Sequence, residues 1–125
     1  MKQVIDWFEI PVSDMSRAQA FYEAVLQTTL HRENFAGPNM QMMVFKEDGH
    51  RAKGALLSGH PALQPGTSGT LVYLHAGASL DAALQRVVTA GGQVAMAKVA
   101  LPDGVGFMAH VLDVDGNRVG LHAYA

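Results

Sequence analysis

The chain has 125 residues with no cysteine, and its 9 basic and 11 acidic side chains give a formal net charge of -2. Hydrophobic residues make up 49% and charged residues 16%, the balance of a folded chain long enough for one domain whose core needs no staples. The missing cysteines exclude disulfides and cysteinyl metal sites, and the scattered basic residues form no run or cationic amphipathic helix that would point to nucleic acid or a membrane surface.

Met1-Lys-Gln-Val-Ile-Asp6 opens the chain without a long apolar run, so no signal peptide or membrane span is expected and a cytoplasmic protein is the default. Residues 4–12 alternate, with Phe8, Ile10 and Val12 on one face and Trp7 and Glu9 on the other, which predicts a strand. Asp14 stands where a helix N-cap belongs. Ala18, Phe21, Tyr22, Val25 and Leu26 follow at the i, i+3, i+4, i+7, i+8 spacing of a helix packed on a sheet. Three short strands come next, at about 28–35, 40–45 and 52–58, with Asp48-Gly49 as the hairpin between the last two. His60-Pro-Ala-Leu-Gln-Pro-Gly-Thr-Ser-Gly69 is dense in turn formers and reads as a linker.

The pattern then repeats. Residues 70–76 read as a strand and Ser79 as an N-cap. Leu80, Ala83, Leu84, Val87 and Val88 repeat the helical stripe at a displacement of 62 residues, and Gly91-Gly92 ends it. Strands at about 93–101, 107–112 and 118–124 follow, with Asp115-Gly116 as the matching hairpin. Lys53-Gly-Ala-Leu56 mirrors Val119-Gly-Leu-His122. The chain is therefore expected to be an α+β domain of two tandem βαβββ modules, about 1–59 and 70–125, joined by the linker at about 60–69. A four-stranded sheet with a helix on one face leaves the other face free. Two such sheets side by side form a curved, open, barrel-like pocket with the helices outside.

Ile10-Pro-Val-Ser-Asp-Met-Ser-Arg-Ala-Gln-Ala-Phe-Tyr22, Ala90-Gly-Gly92 and Asp113-Val-Asp-Gly-Asn117 carry a resemblance that covers essentially the whole chain. It resembles the vicinal oxygen chelate superfamily, which holds glyoxalase I, extradiol dioxygenases, fosfomycin resistance transferases and bleomycin resistance proteins. The resemblance implies the paired-module fold, a small-molecule pocket on the concave sheet and a homodimer, but no single reaction. Metal-dependent members place ligands on the first and last strand of each module, and the matching positions here are Trp7, Gly54, Leu71 and Gly120. A different loop length before the second helix would move Leu71 to Thr70 or Val72. Trp7, seven residues before Asp14, stands where such members use histidine, and Gly54 and Gly120 where they use glutamate or another ligand. None of these side chains coordinates a divalent ion, which needs about three or four oxygen or nitrogen ligands. The expectation is a chain without the usual metal site and without a cofactor.

Strand alternation predicts which residues face the pocket. Phe8, Ile10, Val12, Val72, Leu74, Ala109, Val111, Val119 and Leu121 should face the helices; Trp7, Glu9, Tyr73, His75, Met108, His110, Gly120, His122 and Tyr124 should face away. The first set is almost wholly aliphatic, and the second holds three of the six histidines, so the candidate ligand-binding residues are Trp7, Glu9, Tyr73, His75, His110 and His122. A carboxylate in an apolar strand is expensive to bury unpaired. Glu9 is thus expected either to contact a polar ligand group or act as a base, or to pair with a nearby His or Tyr or face solvent at the pocket mouth. His31, His50 and His60 read as surface residues. Met40, Met42, Met43, Met96 and Met108 read as gap fillers or as an adaptable pocket lining. Asp113, Asp115 and Asn117 have calcium-loop spacing, but the remaining ligands of such a loop are missing, which makes a side-chain-capped turn the better reading.

These observations support a binder of a small, partly apolar organic molecule. The alternative is a glyoxalase-like lyase or dioxygenase using divalent Zn, Ni, Mn or Fe held by Glu9 and the histidines. A third possibility is a dimeric structural module whose pocket is filled by Trp7 and the methionines.

Overall fold

Two short strands, each leading into a side-chain-capped helix, set the frame of the computed structural model, which describes residues 4–34, 37–46 and 51–125. The first half holds β1 (Phe8–Pro11), α1 (Met15–Leu26), β2 (Leu30–Glu33), β3 (Gln41–Phe45) and β4 (Gly54–Ser58). The second repeats it with β5 (Tyr73–His75), α2 (Leu80–Thr89), β6 (Gln93–Ala100), β7 (Phe107–Leu112) and β8 (Arg118–Ala123). The strands form two four-stranded sheets, in the orders β1-β4-β3-β2 and β5-β8-β7-β6. In each, the strand before the helix runs parallel to the last strand and the remaining pairs are antiparallel. This is the expected α+β repeat; the sheets curve but do not close into a barrel. The expected Asp48-Gly49 hairpin lies outside the described residues, as does His50.

The helix boundaries follow from local chemistry. Asp14 accepts from the Arg17 amide at 3.1 Å and Ser79 from the Ala82 amide at 3.2 Å, each satisfying a donor at a helix start. The first helix ends with Gln27 in the left-handed region at φ 52°, and the second is followed by Gly91 at φ 101°. The two N-caps lie at 14 and 79, so the helices repeat at 65 residues rather than the expected 62. Apolar positions recur every three or four residues, so a slip of nearly one turn leaves the stripe intact and hides the true alignment. The first strand is shorter than the predicted 4–12, because Val4 and Ile5 are 96% and 64% exposed and bury no face.

One apolar core joins the two halves. Ile10, Val12, Phe21 and Tyr22 from the first half share it with Leu74, Leu80, Val87 and Leu121 from the second. Every residue expected to face the helices is buried there or, for Phe8 and Val72, packed against it. Full burial of each Leu or Ile contributes about 1.5–3 kcal/mol. Arg86 crosses between the halves, its Nε donating to the Val25 carbonyl at 2.9 Å.

The Asp113–Asn117 turn is a polar clasp across the same junction. The Asp113 carboxylate accepts from the amides of Asp115 (2.8 Å) and Asn117 (2.9 Å) and from the Tyr22 hydroxyl (2.7 Å). Asn117 donates to the Pro11 carbonyl at 2.7 Å and accepts from the Gly66 amide at 3.0 Å, while the Ser13 hydroxyl donates to Asp115. These bonds bear out the capped-turn reading of the acidic spacing. Burial, and after it the nearby Asp113 charge and hydrogen bond and the Asp115 charge, push the Tyr22 phenol well above its ordinary range.

β6 is an edge strand, exposed along most of its length on both faces, and its register with β7 shifts between Val94 and Met96 and again between Met96 and Val99. Among the described residues no helix is long and apolar enough to cross a membrane.

Candidate functional site

Register fixes which side chains share the face away from the helices. In the second sheet Tyr73, Gly120 and His110 form one row across β5, β8 and β7, and His75, His122 and Met108 form the next. In the first sheet the corresponding rows are Glu9, Ala55 and Val44, then Pro11, Leu57 and Met42. The two walls differ in kind. Met42, Val44, Ala55 and Leu57 form a separate buried apolar cluster, whereas the second wall is polar and open, with Tyr73 42% exposed. Met43, on the other face of β3, joins the main core instead.

Gly120 makes the polar wall possible. A Cβ placed there would clash with the Tyr73 ring, so glycine leaves room for that ring to lie across β8. Tyr73 Oη thereby comes within 2.7 Å of His110 Nε2 and 3.4 Å of the Met108 sulfur. On the far side of the imidazole, Arg118 Nη1 lies 3.2 Å from His110 Nδ1. A guanidinium only donates, so Nδ1 accepts and, in the neutral ring, the proton sits on Nε2 facing Tyr73. Tyr73 in turn points its own proton toward Met108. Arg118, His110, Tyr73 and Met108 are thus one directed chain of donors and acceptors.

The same arginine also lines a cavity with a second group. Trp7 Nε1 donates to Glu9 Oε2 at 3.2 Å, and both residues line a cavity of about 360 Å³ together with Ile10, Val72 and Arg118. Glu9 is exposed rather than buried in an apolar strand, because β1 is the edge of its sheet. Trp7 forms part of the cavity wall and leaves it open. His122 sits in the row beside His110, where its Nε2 donates to the Val105 carbonyl at 2.6 Å. His75 is paired in register with His122 but lines a different cavity from Glu9. Of the six candidates, then, Trp7 and Glu9 share one cavity wall, Tyr73 and His110 are joined through a hydrogen bond, and Arg118 contacts His110 while lining the cavity of Trp7 and Glu9. His75 and His122 stand apart from that group. His31 is exposed, and His60 caps its own turn through the Ala62 amide at 3.0 Å.

The resemblance to metal-dependent members matches four positions to ligands, Trp7, Gly54, Leu71 and Gly120. Trp7, Leu71 and Gly120 offer no ligand atom from a side chain, and a glutamate at 120 would collide with Tyr73. The fourth position needs correction. The parallel register pairs Gly54 with Phe8, whose ring covers it on the helix side, and sets Ala55 opposite Glu9. Ala55, not Gly54, is therefore the counterpart of Gly120. The glycines look equivalent in sequence, yet a one-residue offset sends a strand side chain to the other face. Among the described residues no three of His, Cys, Asp and Glu come together as a group that could hold a metal ion. Arg118 is the functional candidate the sequence reading missed. It lies two residues before Gly120, and the same alternation that found Gly120 and His122 places it on their face.

A family model described as the Glyoxalase/Bleomycin resistance protein/Dioxygenase superfamily matches residues 4–121. No curated protein matches the chain at a significant level. Among solved structures, a hypothetical protein from S. aureus is similar at 19% identity and a TM-score of 0.65, covering 94% of each chain. A fosfomycin resistance protein from Listeria monocytogenes is similar at 15% identity and a TM-score of 0.64, covering 98% of this chain and 92% of the other. A glyoxalase I mutant from Zea mays matches at 16% identity and a TM-score of 0.67 over 94% of this chain but only 45% of its own length. At these identities the likeness establishes the fold alone.

Proposed function

This chain belongs to the Glyoxalase/Bleomycin resistance protein/Dioxygenase superfamily, and we propose that within it the protein binds a small, partly apolar organic molecule without a metal ion. The observation that carries the reading is the Tyr73 ring lying over Gly120, in the space a metal-binding carboxylate would need. The cavity beside it suits a ligand with an apolar body against Trp7, Ile10 and Val72. Such a ligand would present a donor to Glu9 and an acceptor to Arg118.

Two measurements test this. Elemental analysis of protein purified without a metal-affinity tag, before and after incubation with Ni, Zn, Mn and Fe, is expected to find no stoichiometric, saturable metal. About one tightly held divalent ion per chain would overturn the proposal. A small-molecule screen followed by NMR should then yield ligands whose binding is lost in Glu9→Gln and Arg118→Met. A cytoplasmic homodimer belongs to the same proposal, supported by the family resemblance, and light scattering on the purified protein tests the dimer.

A further inference from the structure

We infer that a second cavity, separate from Glu9 and Arg118, is a binding site for a small organic anion. It has a volume of about 470 Å³, and its apolar part is made by Phe8, Leu26, Phe45 and Leu74. The two phenylalanine rings lie 5.7 Å apart, with Phe8 resting on the bare backbone of Gly54, so an aromatic surface is laid down where the strand has no side chain to obstruct it. The polar part is made by Lys46, Arg51, Lys53 and His75.

The charge is one-sided. Acids outnumber Lys and Arg in the chain, 11 to 9, yet three of those nine cations line this cavity and, among the described residues, no acid does. Two of them are also set against each other. Lys46 follows and Lys53 precedes the last pair of the β3–β4 ladder, Phe45 with Gly54, so the lysines start from opposing positions on adjacent strands. Like charges so placed repel, and an anion between them converts the repulsion into two charge-assisted contacts. The cavity therefore selects a flat or branched apolar body carrying a carboxylate or phosphate. This inference is independent of whether the Glu9 cavity works without metal.

The test is an NMR titration of the isotope-labelled protein with benzoate, phenyl phosphate and the uncharged benzamide, read at the amides of Gly54, Leu74 and Gly77. Both anions are expected to shift these amides, the better one identifying the acid group, and benzamide is expected to bind about tenfold more weakly or less. Lys46→Gln with Lys53→Gln should weaken the anions by about tenfold, and Arg51→Gln alone should weaken them measurably. All three residues are exposed, so the replacements leave the core intact. Arg118→Met should leave this titration unchanged. Benzamide binding as tightly as benzoate would overturn the inference, as would affinities untouched by the charge replacements. So would no binding of either anion.

Discussion

The Tyr22 hydroxyl and the Asp113 carboxylate stand 91 residues apart in the chain and 2.7 Å apart in the fold, buried at the junction of the two halves. The carboxylate is only 5% exposed and gathers donors from Tyr22 and from the Asp115 and Asn117 amides. Removing the acceptor leaves all of these donors without it. Asp113→Ala is therefore expected to cost about 2–4 kcal/mol, and Tyr22→Phe, which removes one donor, about 1–2 kcal/mol. Urea denaturation of the three proteins checks both the order and the size.

The same pair gives a pH dependence. Burial first, then Asp113 and Asp115, holds the Tyr22 proton in the folded state to higher pH than in the unfolded chain. A tyrosine in the unfolded chain loses its proton near about pH 10, so above that point the folded state binds more protons and its stability declines as pH rises. The contribution is fully present below about pH 10 and is lost on the way up to the folded value. The urea midpoint of the native protein should fall more steeply between about pH 9 and 11 than that of Tyr22→Phe. Parallel curves would mean that Tyr22 does not titrate differently in the two states.

Gly120 and Tyr73 should be energetically coupled. Gly120→Ala introduces a methyl group into the ring of Tyr73 and is expected to destabilise by about 1–3 kcal/mol. In the Tyr73→Ala background the same change should cost less, giving a coupling of about 1 kcal/mol or more in a double-mutant cycle. Additive effects would show that Tyr73 moves aside freely.

Arg118 is expected to set the His110 tautomer. With the guanidinium donating to Nδ1, the neutral ring carries its proton on Nε2. Arg118→Met removes that constraint. Nitrogen chemical shifts of the His110 ring should then move from an Nε2-protonated form toward a mixture, while those of His122, held by the Val105 carbonyl, stay in place.

The aliphatic side of β1, β5, β7 and β8 was legible in the sequence because alternation between Ile10 and Val12, or between Val119 and Leu121, has only one way to bury its apolar set. The Glu9, Tyr73 and His110 face followed from the same alternation. What alternation does not carry is offset between strands. Lys53-Gly-Ala-Leu56 and Val119-Gly-Leu-His122 resemble each other, but pairing Leu56 with Ile10 and Leu121 with Leu74 aligns them one residue apart and removes Gly54 from the pocket face. Whether Glu9 is buried or faces solvent stayed open in the sequence, because a single strand does not reveal that it lies at a sheet edge. Tyr22 was legible as core but not as a donor, since its acceptor comes from the far end of the chain. Arg118 was hidden beside the Asp113–Asn117 turn, where a charged residue is ordinarily read as solvent-facing.

The two register shifts in β6 bear on how the protein behaves in a crowded solution. An eight-residue strand at the rim of a sheet, carrying Val94 and Val99 at 40% exposure each, is the kind of segment on which another chain could lay down a continuous run of backbone hydrogen bonds. The irregularities at Val94/Met96 and Met96/Val99 break that run into short pieces that no straight strand can match. Resistance to fibre-like stacking is thus written into the bend of the backbone, in a chain whose net charge of -2 would give little protection by repulsion.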